Sequence, residues 1–326
     1  MSTIKSSAEN LTLNADGANN DIKFQSNGSE VASIDQAGVV TASGVSLAAG
    51  GTLTTASGND LNIVYPDSRS LFIKEAGTTH VAVDNTGNVG IGASSAGGKL
   101  EIHQEQVTGQ FDRDCFLRLH PSAHTNSGGF TNMMFGTSTT NNYGVAIGGL
   151  RAGTDNAPSF RINMLNDSVS GFNALTIDPT GAVTMPLQPA FSVTAGGNSN
   201  IGLSTTTVNF NSEIFDQNSD FNTSTYKFTA PVTGKYQFNM SFRLDELDSG
   251  AGYYRLKFIT SNRTYTSLII DPNFTSDIDY YHMSGSYLAD MDSGDTAEVA
   301  IQQNSGTSQT DVTSGADTHF SGYLVA

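Results

Sequence analysis

Tyr236-Gln-Phe238-Asn-Met240-Ser-Phe242 sets an apolar side chain at every second position. Such a period belongs to a strand with one buried face, because successive side chains leave a strand on opposite sides. The pattern spreads outward from there. Tyr226–Phe228 precedes it, and Tyr254-Arg-Leu256-Lys-Phe258, Ser267–Ile270, Tyr281–Leu288, Ala297–Gln302 and Phe320–Val325 follow. Gly, Asn, Asp or Ser breaks the runs apart. About eight short strands over residues 190–326 predict an antiparallel sandwich. No helical apolar spacing persists beyond about two turns.

Upstream the alternation is organised as a repeat. Ile22-Lys-Phe24-Gln-Ser-Asn-Gly28-Ser-Glu-Val31-Ala-Ser-Ile34-Asp35-Gln-Ala-Gly38 is one copy. Leu71-Phe-Ile73-Lys-Glu-Ala-Gly77-Thr-Thr-His80-Val-Ala-Val83-Asp84-Asn-Thr-Gly87 is the next. A looser third runs from Leu165 through Gly171 and Ile177 to Asp178-Pro-Thr-Gly181-Ala-Val183. Each reads strand, Gly turn, strand, Asp-x-x-Gly turn, strand. Asp35, Asp84 and Asp178 can accept a hydrogen bond from the turn backbone. Gly38, Gly87 and Gly181 can take the left-handed conformation that closes such a turn. The unit is a short β-meander.

Residues 1–102 hold too few large apolar side chains for a core of their own, and a lone hairpin is marginal in water. Such a segment is disordered or buries its apolar face against copies of itself. The regular alternation favours the second, as a three-chain stalk. Residues 103–186 read as an interposed β domain and shaft, with strands at Phe116–Leu119, Thr131–Phe135, Tyr143–Gly148 and Phe160–Met164. Met185-Pro-Leu-Gln-Pro189 reads as an extended linker to a knob at 190–326, because two prolines favour extended backbone. The fold class expected is all-β: a homotrimeric fibre with an N-terminal β-meander repeat stalk, a small β domain and a C-terminal antiparallel jelly-roll sandwich.

Composition excludes several functions. The 326 residues carry a net charge of −16, and only 14% are charged. Lys and Arg never cluster three in a row, so no nucleic-acid groove and no anionic membrane surface is served. Apolar runs are too short to span a bilayer. The N-terminus lacks the apolar core of a signal peptide, which predicts folding in a cytoplasm. The single cysteine, Cys115, can make no intrachain disulfide and reads as a small buried apolar side chain.

Two resemblances emerge. Ala190-Phe-Ser-Val193, Val208-Asn-Phe210, the run Phe228-Thr-Ala-Pro231-Val-Thr-Gly234-Lys-Tyr236-Gln-Phe238, Asp292-Ser-Gly294-Asp295 and Phe320-Ser-Gly322-Tyr-Leu324 fall in order. Together they resemble the trimeric jelly roll shared by the complement globular head and the tumour-necrosis-factor superfamily. No collagen-like Gly-X-Y stalk precedes them, so complement biology does not carry over. Ile4-Lys-Ser-Ser-Ala-Glu-Asn-Leu-Thr-Leu-Asn-Ala-Asp16-Gly and Gly87-Asn-Val-Gly-Ile-Gly-Ala-Ser-Ser-Ala-Gly-Gly-Lys-Leu-Glu-Ile102 are similar to segments of bacteriophage tail fibres, notably of marine and cyanobacterial phages. That resemblance implies a trimeric virion fibre docked by its N-terminus onto another virion protein.

Catalytic signatures are sparse. His120-Pro-Ser-Ala-His124 carries the spacing of a helical metal pair, but Pro121 blocks the helix and the zincin Glu is missing. No Gly-x-Ser-x-Gly elbow occurs. Nothing marks a glycosidase carboxylate pair. The expectation is a binding protein, not an enzyme, with no cofactor unless Ca2+ is bound. Asp216-Gln-Asn218-Ser-Asp220 and Asp290-Met-Asp292-Ser-Gly294-Asp295 have partial calcium-loop spacing, and both also read as solvated turns.

Strand parity sharpens the candidate surface. If consecutive strands of the knob are antiparallel and the C-terminus returns toward the stalk, loops near 245–252, 271–279 and 303–318 share the far end. They hold Asp245, Glu246, Asp248, Asp271, Asp277, Asp279, Asp311 and Asp317, with no Lys or Arg. These acids are the candidates for receptor contact, directly or through Ca2+, and solubility is their simpler role. The expected function is a tail fibre whose knob binds a host surface receptor, glycan or protein. A head fibre, a capsid decoration or a structural tail connector would share the same plan.

Overall fold

The structure is a computed structural model of the chain. It describes residues 21–35, 39–42, 69–104, 116–119, 128–152 and 157–326, with Leu13 and Ile63. The chain divides into two compact units, Met1–Phe116 and Leu117–Ala326. Every regular element among the described residues is a strand. None is a helix long and apolar enough to cross a membrane.

The first unit holds two meanders. β1 (Ile22–Ser26), β2 (Ser29–Ile34) and β3 (Val40–Ala42) form one antiparallel sheet. β4 (Leu71–Glu75), β5 (Thr78–Val83) and β6 (Val89–Ile91) form another, extended by β7 (Leu100–Ile102), which runs parallel to β6. The hairpins turn at Asn27-Gly28 and Ala76-Gly77, all four residues with positive φ. That geometry matches the right-handed twist of the flanking strands. Each copy carries a register shift at the equivalent place, Phe24/Gln25 and Ile73/Lys74.

Asp84 holds its turn with one carboxylate oxygen, Oδ1, which accepts from Thr86 N at 2.9 Å, Thr86 Oγ1 at 2.8 Å and Asn88 N at 2.9 Å. Asp178 does the same with Thr180 N at 2.8 Å, Thr180 Oγ1 at 2.7 Å and Ala182 N at 2.9 Å. Asp35 Oδ1 accepts from Val39 N at 2.8 Å. Gly87 and Gly181 have φ of 78° and 91°. Gly38, Cys115, His120 and His124 lie outside the described residues.

The second unit opens with a five-stranded antiparallel sheet. Its strands are β8 (Phe130–Gly136), β9 (Tyr143–Ala152), β10 (Ala157–Asn166), β11 (Phe172–Ile177) and β12 (Val183–Thr184), paired in sequence order. Phe116–Leu119, expected as a strand, is not one. Met185–Pro189, expected to be extended, instead folds into a turn closed by Gln188 N to Met185 O at 3.1 Å. Pro186 sits second in that turn, where its fixed φ fits.

The remaining strands make the knob: β13 (Ala190–Ala195), β14 (Thr205–Thr207), β15 (Ser212–Asp216), β16 (Phe221–Asn222), β17 (Lys227–Thr229), β18 (Gly234–Leu247), β19 (Tyr253–Thr260), β20 (Thr264–Ile270), β21 (Ile278–Met291), β22 (Thr296–Asn304), β23 (Asp311–Val312) and β24 (Gly315–Leu324). One sheet runs β15-β13-β24-β18-β21, with β23 on β18. The other runs β16-β17-β22-β19-β20, with β14 on β22. Together they form an all-β jelly-roll sandwich. Tyr236, Phe238, Met240 and Phe242 all point inward from β18 and are buried. The core is aromatic: the Phe191 ring lies 5.0 Å from those of Phe221, Phe228 and Phe320. Tyr236 keeps its hydroxyl satisfied by donating to Val232 O at 2.7 Å. Gly322 leaves room for this packing, since a Cβ there would fall 2.6 Å from the Phe238 ring.

Candidate functional site

The strand directions divide the knob into two ends. The chain enters at Pro189, beside Leu324 and close to Lys235 and Ala326, which are joined by hydrogen bonds. Ala195 pairs Gly315, Leu247 pairs Ile278, and Tyr253 pairs Asn304, all at the opposite end. The loops 248–252, 271–277 and 305–310 therefore meet there, joined by 196–204. That last loop escaped the sequence reading, because β14 and β15 interrupt strict alternation before it can be counted.

The eight acids do different things at this end. Asp248 is buried, its Oδ1 accepting from Gly250 N at 2.7 Å and its Oδ2 from Thr307 N. It ties the 248–252 turn to the 305–310 loop. Gly306 allows the approach: its φ is +81°, and a Cβ would lie 2.2 Å from Asp248 Oδ2. Asp277 accepts from Ser249 N at 2.8 Å, Ser249 Oγ at 2.7 Å and Gln309 Nε2 at 2.8 Å. Those three donors, Ser249 foremost, hold its carboxyl down at about 2. Asp311 Oδ1 accepts from Asn200 N at 2.6 Å.

Arg243 engages two more. Its Nε and Nη2 grip Asp245 at 2.8 and 3.1 Å, and its Nη1 reaches Asp317 at 2.6 Å. Partial burial opposes ionisation of Asp245, but the hydrogen bonds and charge of Arg243 win and lower its pKa. The guanidinium also lies 4.7 Å from the Tyr280 ring centroid. Glu246, Asp271 and Asp279 are exposed, Glu246 with a left-handed backbone at φ 56°. The acids thus share an end without converging on one point. Among the described residues, no group of three or more His, Cys, Asp or Glu could hold a metal ion.

The calcium-like motifs are turns. Asp216 accepts from Asp220 N at 3.1 Å and Phe221 N at 2.8 Å. Asp295 accepts from Ser261 Oγ at 2.7 Å and Asp292 N at 2.8 Å.

Beside Arg243 lies a cavity of about 310 Å³ on the outer face of β18, β21 and β24, lined by Ser241, Arg243, Tyr280, His282, Asp317 and His319 among others. Ser241 Oγ and His282 Nε2 are 2.6 Å apart. Of these the sequence puts forward only Asp317 as a candidate, and His282 and His319 read there as isolated histidines, whereas the fold brings both to this one cavity. A signal existed: Tyr280 and His282 alternate outward on one strand, and Arg243 stands two residues before Asp245.

Residues 190–325 match the C1q domain family. The C-terminal domain is C1q-like. Among solved structures, the chain is similar to the globular domain of zebrafish complement 1qA protein, at 24% identity and TM-score 0.33, over 43% of this chain and 98% of that one. It is also similar to murine APRIL, at 10% identity and TM-score 0.31, over 42% of this chain and 99% of that one. No curated protein sequence matches the chain. The far-end loops and the Arg243 cavity both belong to the C1q-like domain.

Proposed function

We propose that this protein is a homotrimeric virion fibre, most simply a phage tail fibre, whose C1q-like knob binds the host cell surface. The observation that carries the reading is the grouping of four polar loops at the end of the knob away from Pro189, after a run of β-meanders. A fibre presents its terminal domain, and the end away from the shaft meets the target. Three identical tips turn weak contacts into avidity. The N-terminus docks onto another virion protein, and the mechanism is binding without chemistry on the target. Internal hydrogen bonds at Asp248 and Asp277 favour a second reading, a capsid decoration or tail connector, because those carboxylates serve the loops themselves. Competition separates the two. Excess purified full-length protein is added before infection, with host adsorption measured. Blocked adsorption supports the receptor-binding fibre; unchanged adsorption by protein that is native and trimeric overturns it.

A further inference from the structure

The sheet β8–β12 has two unlike faces. Cross-strand register places Phe135, Val145, Met164 and Phe172 in one row. Met133, Ile147, Ile162 and Leu175 make the next, and Phe160, Ile177 and Val183 continue a third. Opposite residues share a face, so these rows form one apolar surface. The other face is more polar: Asn132, Gly148, Arg161 and Thr176 form one row, Met134, Ala146, Asn163 and Asn173 the next, and Phe130, Leu150 and Ser159 a third.

The apolar face is wet in the single chain. Phe135 is 54% exposed, Phe172 51%, Val183 57%, Met133 45% and Met164 44%. A sheet needs a second layer over its apolar face, and none covers this one among the described residues. Taking roughly 150–250 Å² for each large side chain, the exposed parts of these five come to about 400–600 Å² per copy. The partly exposed Val145, Ile147, Ile162, Leu175 and Ile177 add to this, so the whole face approaches the roughly 800 Å² that each partner contributes to a stable interface. Solitary patches on monomers are smaller.

We infer that this face docks on the same face of a second copy of the chain, so that the 130–184 sheets of an assembly share one dry core. The inference rests on the homotrimer reading and adds where the copies meet. Three such faces turned toward one axis bury all three rows, while the Asn- and Gly-bearing faces stay outward. A knob-only trimer would leave the rows exposed.

The test uses the full chain with Cys115→Ser, so that an introduced thiol stands alone. Met133→Cys, Ile162→Cys and Phe172→Cys sample the apolar face; Asn132→Cys and Asn163→Cys sample the other. Each is oxidised with copper–phenanthroline and run on a denaturing gel, and its native mass is taken by light scattering. At least one apolar-face variant is expected to give a covalent dimer in most chains, with neither polar-face variant doing so. A native trimer in which no apolar-face position cross-links, or the polar-face positions cross-link equally, overturns this interface and leaves the trimer standing. A native mass of one chain, 34.3 kDa, overturns both.

Discussion

At the scale of single residues, the far end of the knob is held by carboxylates acting as loop clamps. Gly306 is the tightest point: its φ of +81° and the 2.2 Å approach of Asp248 to a built Cβ leave no room for a side chain. Gly306→Ala is expected to destabilise the knob by roughly 1–3 kcal/mol, read from urea denaturation, through left-handed strain plus the clash. Asp277 gives a pH signature. Its folded pKa of about 2 lies below the reference value of 3.8, so the folded state binds the proton less tightly. Its contribution is therefore complete above the unfolded value and is lost as pH falls through the folded one. Thermal melts of Asp277→Asn and parent should differ most at neutral pH and converge near pH 2, within about one unit. Ser249→Ala, which removes one of the three donors, should move the convergence to higher pH.

At the scale of elements, two devices recur. The Asp-x-x-Gly turn was readable because all its partners lie within four residues: Asp84 and Asp178 each bond the amides two and four positions on. The sandwich strands were readable for a like reason, since period-two burial in β18 needs no knowledge of its neighbours. Strand edges were less legible. Ser267–Ile270 extends back to Thr264, and Tyr281–Leu288 grows to Ile278–Met291, because pairing carries a strand past the end of its apolar pattern. The second device is the aromatic layer between the sheets. Phe320 touches the rings of Phe191, Phe210 and Phe238 at 5.0, 5.5 and 5.8 Å. Phe320→Ala should cost about 3–5 kcal/mol in chemical denaturation, with no change in which strands pair, because it opens a cavity without touching a ladder hydrogen bond.

At the scale of the whole molecule, the burial is uneven. The knob encloses Phe191, Tyr236, Phe238, Phe258 and Phe320 fully, while Phe24, Phe72, Ile73 and the apolar face of β8–β12 stay half exposed. A chain that leaves such surfaces wet gains by associating, and association ties stability to concentration. The midpoint of thermal unfolding is therefore expected to rise with protein concentration, by several degrees over a hundredfold range. A midpoint independent of concentration would mean that the copies do not stabilise one another.

The sequence by itself determined what depends on near neighbours. The all-β class, the tandem meanders, the Asp turns and the sandwich followed from apolar period and turn chemistry, which act over a few residues. Parity of antiparallel strands even carried the acids to one end. Tertiary structure alone decided what those acids do. Arg243 meets Asp317 only because β18 and β24 pair in one register, and Asp277 meets Gln309 only because two loops close over it. Neighbours 74 and 32 positions apart in the chain leave no local pattern. The electrostatics of the tip therefore came from the folded arrangement, in which an arginine just outside the counted loops pairs with two of their carboxylates.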